Sequence, residues 1–167
     1  MHRRTLLRFS GLWPVVGAGS ARAAPFAGPV ASEPLQRTLA AYLDTLIPAD
    51  ASPSASQLGL HHRFLELGRR SSAFRRLLET GCDWLDKEAI RLGAGEFARL
   101  TEPKREALVA KAAGLGRRSG ARRFFEATRD SAMRHYYSRP EAWPSLGYAG
   151  PPQPLGFPDY AKPMKAG

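Results

Sequence analysis

The fold class is decided by residues 72–92, which read SAFRRLLETGCDWLDKEAIRL. Apolar side chains recur in this stretch every three or four residues, the spacing that places them on one face of an α-helix. Ser72 is suited to the N-cap of this helix and Gly93 to its C-cap. We therefore predict a long amphipathic helix whose apolar face carries Phe74, Leu77, Leu78, Gly81, Leu85, Ala89 and Leu92.

Four further helices are predicted around this one from the same periodicity. They cover residues 34–47, 55–68, 101–113 and 121–137, and proline or glycine lies near most of their ends. No run alternates apolar and polar residues between hairpin turns, so we predict no strand. The fold class is therefore all-α, a small domain of about five helices. In the last helix the spacing directs four residues inward: Phe125, Thr128, Ala132 and Tyr136.

Proline and glycine crowd the two ends of the 167-residue chain. Residues 24–33 are small and rich in proline and glycine, and we predict a flexible lead-in there. The helical domain then spans residues 34–139. Residues 140–167 hold seven prolines interspersed with aromatic residues, which is typical of an extended tail that lies on another surface.

Residues 1–23 are typical of an export signal. Three arginines precede a short uncharged stretch, and Ala21 and Ala23 occupy the two positions that a signal peptidase recognises, which predicts cleavage after Ala23. The pair Arg3-Arg4, followed by Thr5, two leucines and Arg8, resembles the twin-arginine motif. We expect export by the twin-arginine translocase and a periplasmic location; the general secretory route and no export are the alternatives.

The charge of the chain is strongly basic, with 25 lysines and arginines against 15 acidic residues. Removing residues 1–23 lowers the formal charge from +10 to +6, because four arginines leave and no acid does. Two basic pairs, at 117–118 and 122–123, adjoin Phe124 and Phe125 and raise the possibility of nucleic-acid binding. We favour a solvated helix face instead, and we predict no nucleic-acid partner.

No residue pattern in the chain is typical of an active site. The sequence lacks the Gly-x-Ser-x-Gly, phosphate-loop and dinucleotide-binding motifs, and Cys-x-x-Cys-His is absent. The lone Cys82 lies within an apolar helix and is expected to be a small core residue. We assign no catalytic, cofactor-binding or metal-ligating residue to this chain. An enzyme in its own right would have to use the few available groups: Asp44, Asp50, His61 and Asp159.

Two segments resemble a known family. The first is LDTLIPAD at residues 43–50, followed by Pro-Ser-Ala at 53–55 and the second helix. The second runs from Phe124-Phe125 to Arg129-Asp130, continues as YYSRP at 136–140 and ends as LGYAGPPQPLGFPDY at 146–160. This series is similar to the opening and the closing segments of the gluconate 2-dehydrogenase subunit 3 family, and the resemblance covers about residues 34–160.

The resemblance implies a small accessory subunit that is not catalytic by itself. Its partner would be a large FAD-dependent dehydrogenase of the glucose–methanol–choline type that oxidises a sugar, a sugar acid or an alcohol. FAD would be held by that subunit, and haem c by a third, cytochrome c subunit. The small subunit would assist assembly and carry the flavoprotein through the twin-arginine route. The alternative is a freestanding periplasmic helical binding protein.

Large rigid side chains contribute most of the binding energy in protein interfaces. The aromatic residues of the tail, together with one adjoining proline, are therefore the expected anchors on the partner. They are Trp143, Tyr148, Phe157, Pro158 and Tyr160.

Overall fold

The computed structural model describes residues 32–148 and residue 150. These residues form five α-helices and no strand, which confirms the all-α prediction. The helices are α1 (Glu33–Leu46), α2 (Leu60–Arg70), α3 (Ser72–Arg91), α4 (Glu102–Gly114) and α5 (Gly120–Tyr137). Three short 3-10 turns accompany them at Phe97–Arg99, Pro140–Ala142 and Pro144–Leu146.

Several predictions from the sequence fall outside the described residues and stay predictions. They concern the export signal with Arg3 and Arg4, the cleavage positions Ala21 and Ala23, most of the lead-in, the candidate group Asp159, and the distal tail residues Phe157, Pro158 and Tyr160.

Helix α3 is the central element, because α1, α2 and α5 all pack against it. Four residues of the predicted apolar face are buried, and two more are partly buried; they are Leu78, Gly81, Leu85 and Ala89, and Phe74 and Leu77. Cys82 is buried beside them. The prediction for Leu92 is wrong: the side chain is 49% exposed because α3 ends at Arg91 and the backbone turns at Gly93, where φ is +82°.

The capping of α3 also differs from the prediction. The N-cap is Ser71, not Ser72, and its hydroxyl accepts a hydrogen bond from the Phe74 N–H at 3.2 Å. The preceding helix ends at Arg70, so one residue separates α2 from α3. Ser71 is both the C-cap of α2 and the N-cap of α3, so the two helices are connected by a single residue.

A close approach of two helices holds α5 against α3. A Cβ atom added to Gly81 would lie 2.1 Å from Cγ of Phe124, so only glycine leaves room for this ring. The ring of Tyr42 lies on Phe124 with centroids 4.7 Å apart. Phe124 is therefore the buried member of the Phe124-Phe125 pair, and Phe125, which we predicted to face inward, is only partly buried.

A buried hydrogen-bond chain joins α1 to α5 beside this ring. The Thr128 hydroxyl donates to the Phe124 carbonyl oxygen at 2.5 Å, so it accepts from the Tyr42 hydroxyl, 2.8 Å away. Tyr42 and Thr128 are both fully buried. Because a buried hydroxyl without a partner is costly, this pairing fixes the position of α5 along α1 as well as along α3.

A second polar contact joins α1 and α3 to the turn that precedes α4. The carboxylate of Asp86 accepts from the Thr38 hydroxyl at 2.8 Å and from the Phe97 N–H at 2.8 Å. Arg37 pairs with Glu96 nearby, with Nη2 and Oε2 separated by 3.1 Å. These contacts lie near the N-terminal end of α1, whereas the loop described below begins at its other end.

A nearly buried carboxylate ties α4 to the end of α3. Oε2 of Glu88 accepts from the Lys111 ammonium at 2.7 Å, and Oε1 accepts from the Arg91 guanidinium. The hydrogen bond from Lys111, with help from Arg91, holds the pKa of the Glu88 carboxyl below its usual value, although partial loss of hydration acts in the opposite direction. The ionised form of Glu88 therefore stabilises the folded state.

The replacement Gly81→Ala is expected to destabilise the protein by about 1 to 3 kcal/mol, because the new methyl group overlaps the Phe124 ring. The loss should appear although alanine intrinsically favours a helix by about 1 kcal/mol over glycine. Urea denaturation of the purified chain measures it. The control is Gly114→Ala, where no atom lies within 4 Å of the added Cβ. Equal stability of the two variants would contradict the prediction.

The replacement Glu88→Gln is expected to reduce stability near neutral pH but not in acid. A carboxyl whose pKa is lowered by folding contributes stability that is fully present above its unfolded pKa, about 4.3, and is lost as pH falls through the folded value. Melting curves of both proteins between about pH 7 and about pH 3 should show a gap that closes below about pH 4. A gap independent of pH argues against the ion pair.

Candidate interaction surface

The loop between α1 and α2, residues 47–59, is held by two carboxylates. Asp44, in the last turn of α1, accepts from the Ser56 N–H at 2.7 Å and from the Ser56 hydroxyl at 2.6 Å. Asp50 accepts from the Ser52 N–H at 2.7 Å, a turn that this residue type favours. Asp44 and Asp50, two of the four candidates for chemistry in the sequence, thus serve as local anchors of the loop.

This anchoring explains why α2 starts later than predicted. Residues 55–59 form a turn, and the helix begins at Leu60 rather than at residue 55. Gly59 has a φ of +70°, and the Leu60 N–H bonds to the Ala55 carbonyl oxygen, five residues back, instead of continuing a helical ladder. Since Asp44 lies 12 residues before Ser56, no local periodicity could reveal this turn.

The far side of the loop is bound to the end of α5. The Tyr136 hydroxyl donates to the Pro53 carbonyl oxygen at 2.7 Å, across 83 residues of sequence. Tyr136 is buried, as its helical spacing predicts. The contact brings together the two separate segments on which the family resemblance rests. The loop and the end of α5 therefore form one continuous surface.

An apolar surface follows directly on the end of α5, and we call it the aromatic patch. It consists of Met133, Tyr137, Trp143, Leu146 and Tyr148. The indole Nε1 of Trp143 donates to the Tyr137 carbonyl oxygen at 3.0 Å, and its ring lies 5.2 Å from that of Tyr148 in an edge-to-face arrangement. The other four side chains are 36% to 57% exposed. Apolar side chains gathered in this way are typical of a surface that binds another protein.

The structure brings together two of the five predicted anchors, Trp143 and Tyr148. It adds Met133, Tyr137 and Leu146, which our interpretation of the sequence missed. The signal for Tyr137 was present, because its neighbour Tyr136 points inward and consecutive helical residues diverge by about 100°. Leu146 gave no such signal.

The first part of the tail is not extended, contrary to our prediction. Residues 140–142 and 144–146 form two consecutive 3-10 turns, and Ala142, the last residue of the first turn, is fully buried. Pro140 and Pro144 each start one of these turns, a position where the missing N–H costs nothing. Gly150 then lies against Trp143, since a Cβ there would be 3.6 Å from the indole. The chain thus continues from the patch itself.

The titratable side chains that catalysis or metal binding would require lie apart from one another or are already engaged in contacts within the chain. The pKa of His61 is lowered by burial and by its neighbour His62, whose ring centroid is 3.9 Å away. Within residues 32–148 and 150, no three potential metal ligands cluster. Cys82 is 1% exposed, and burial raises the pKa of its thiol, as expected of a core residue.

A pocket of about 550 Å³ lies between α1, α2 and α3. The carboxylates in its lining are already engaged: Asp86 with Thr38, Asp83 with Lys87, and Glu79 with Arg75. Its lining is mixed in polarity and carries both signs of charge. We assign no cofactor to this pocket.

The fold and its surface define a class of protein: a small all-α domain that presents a tethered loop and an exposed aromatic patch. None of its described helices is both long and apolar enough to cross a membrane.

The chain belongs to the gluconate 2-dehydrogenase subunit 3 family, whose model matches residues 34–150, more than two thirds of the sequence. The resemblance seen in the sequence is thereby confirmed. The family is a subunit of a gluconate dehydrogenase complex, which implies a larger dehydrogenase partner. Neither the curated proteins nor the solved structures contain a match.

The replacement Tyr136→Phe is expected to loosen the loop, because it removes the hydroxyl that donates to Pro53. The loss of one hydrogen bond of this kind costs about 1 kcal/mol. Amide hydrogen exchange of residues 47–59 should accelerate relative to the unmodified chain. The control is Tyr137→Phe, whose hydroxyl makes no hydrogen bond with the described residues. Identical exchange in both variants would show that Tyr136 does not hold the loop.

Proposed function

We propose that this chain is a non-catalytic accessory subunit of an FAD-dependent dehydrogenase complex, and that it docks on the large subunit through the aromatic patch and the adjoining loop. The observation that carries the proposal is the patch itself: four exposed apolar side chains and one half-buried tryptophan at the end of α5. Trp143 contacts Tyr137 and Tyr148, and the neighbouring Tyr136 binds the loop on which the family resemblance partly rests.

The construction of the patch suits an interface. Trp143 is fixed by its hydrogen bond to Tyr137 and by the ring of Tyr148, so little side-chain entropy remains to be lost on binding. Tyrosine and tryptophan combine a large apolar area with a polar tip, and they dominate the energetics of protein interfaces. The patch therefore supplies a central anchor for a partner.

The aromatic residues that follow Gly150 extend the same proposal. Phe157, Pro158 and Tyr160 lie outside the described residues, but the chain leaves Gly150 against the Trp143 ring. Within this proposal they contact the large subunit next to the patch. Prolines would lower the entropy lost when such a segment is ordered on a surface.

The proposed export signal implies that the complex is located in the periplasm. Under this proposal the flavoprotein folds around FAD in the cytoplasm, binds this chain, and crosses with it through the twin-arginine translocase to the periplasm. FAD is held by the large subunit, and haem c by a cytochrome c subunit where one is present. The substrate of the large subunit is a sugar, a sugar acid or an alcohol.

Replacing the patch should separate the complex. Tyr137→Ala combined with Leu146→Ala removes two exposed anchors, and we expect binding to weaken by at least about 2 kcal/mol, roughly thirty-fold in Kd. The measurement is co-purification from the native host, with subunit masses and the flavin spectrum recorded for each variant.

The matched control replaces two equally exposed apolar residues elsewhere, Ile90→Ala and Leu92→Ala. Thr80 and Gly81 of α3 meet the start of α5, so Ile90 and Leu92 lie beyond that end, away from the patch. Full recovery of the flavoprotein with the patch variant would overturn the assignment of the interface. If the unmodified chain co-purified with no flavoprotein, the freestanding binding protein would be the better account.

A further inference from the structure

The positive charge of the described domain is concentrated at its C-terminal part. Residues 32–114 carry 12 basic and 11 acidic side chains, so they are almost neutral. Residues 115–148 carry seven arginines and only three acidic side chains. Most of the net charge therefore lies on α5 and the segments that flank it, the same part of the molecule that holds the aromatic patch.

A larger share of the arginines in this part lacks an acidic partner than in the first part. In the first part most arginines form ion pairs, as Arg37 does with Glu96 and Arg70 does with Glu66. Around α5 five arginines form no ion pair with any described residue, although the structure includes Glu126 and Asp130 close by. These five are Arg117, Arg118, Arg123, Arg134 and Arg139.

Two of these arginines project from the same side of α5. Arg123 and Arg134 are 11 residues apart, about three helical turns, so their side chains point in nearly the same direction. Both are exposed. The two acids between them are already paired, Glu126 with Arg122 at 2.7 Å and Asp130 with Arg129 at 2.8 Å. One side of α5 therefore carries both arginines, and it extends about 20 Å from Arg123 to the aromatic patch at Tyr137.

We infer that the dehydrogenase subunit presents an acidic surface to this face of α5, and that Arg123 and Arg134 orient the chain during association. The inference rests on the proposed function and deepens it, since it names the chemistry of the partner's surface beside the apolar anchor. Exposed arginines outside the apolar anchor act mainly on the rate of association and on the choice of partner. They contribute less to the lifetime of the complex.

The experiment compares association rates of this chain with the purified large subunit at several salt concentrations. The test variant is Arg123→Glu with Arg134→Glu. The control is Arg76→Glu with Lys104→Glu, which changes the net charge equally at two exposed positions on α3 and α4 that form no ion pair with described residues. Both variants are checked for an unchanged circular dichroism spectrum and melting temperature.

We expect the association rate of the unmodified chain to fall as salt is added, because screening weakens attraction between exposed charges. At low salt the test variant should associate about tenfold more slowly or worse, and the control should change little. Equal rates for the two variants, or a rate insensitive to salt, would overturn the inference while leaving the proposed docking intact. If the unmodified chain formed no complex, both proposals would fail together.

Discussion

The contact between the Phe124 ring and the backbone of α3 at Gly81 sets the position of everything that follows it in the chain. A ring can lie against a helix backbone this closely only where the helix offers no side chain. The Tyr42 ring also packs on Phe124, and the hydrogen bond between Tyr42 and Thr128 keeps α5 from sliding along α1. Three helices thus meet around one aromatic residue, and α5 has a single position.

From that position, the end of α5 has two consequences for the surface. Its inward residue Tyr136 reaches the loop at Pro53, and its outward residue Tyr137 becomes part of the aromatic patch. These two adjacent residues therefore have different roles, since Tyr136 holds the loop and Tyr137 remains exposed to a partner. The same loop is also held by Asp44, so contacts within this chain hold it at both places.

The helices could be predicted from the sequence because a helix buried on one face has apolar residues every three or four positions. What the sequence could not resolve depends on contacts between distant residues. Periodicity alone cannot tell Phe124 from Phe125, since the choice is made by Gly81, 43 residues earlier. The turn at 55–59 depends on Asp44 in the preceding helix, and the late start of α2 follows from it.

The candidate surface could be predicted only in part. Trp143 and Tyr148 stood out because aromatic residues are unusual in a proline-rich segment. Met133 and Leu146 did not, since a single apolar residue near a helix end has no distinctive pattern. Their role emerges only when two 3-10 turns fold the segment back against the end of α5, and those turns are stabilised by the Trp143 hydrogen bond and the burial of Ala142.

The two ends of the described domain lie in different places. Helix α1 is 14 residues long, so Glu33 lies about 20 Å from the end of α1 that leads into the loop, whereas Gly150 lies against Trp143. A bulky group fused ahead of Ser32 therefore leaves the loop and the patch uncovered, and one fused shortly after Gly150 crowds them. For attaching the protein to a bead, a sensor chip or an electrode, the N-terminal side is the better handle.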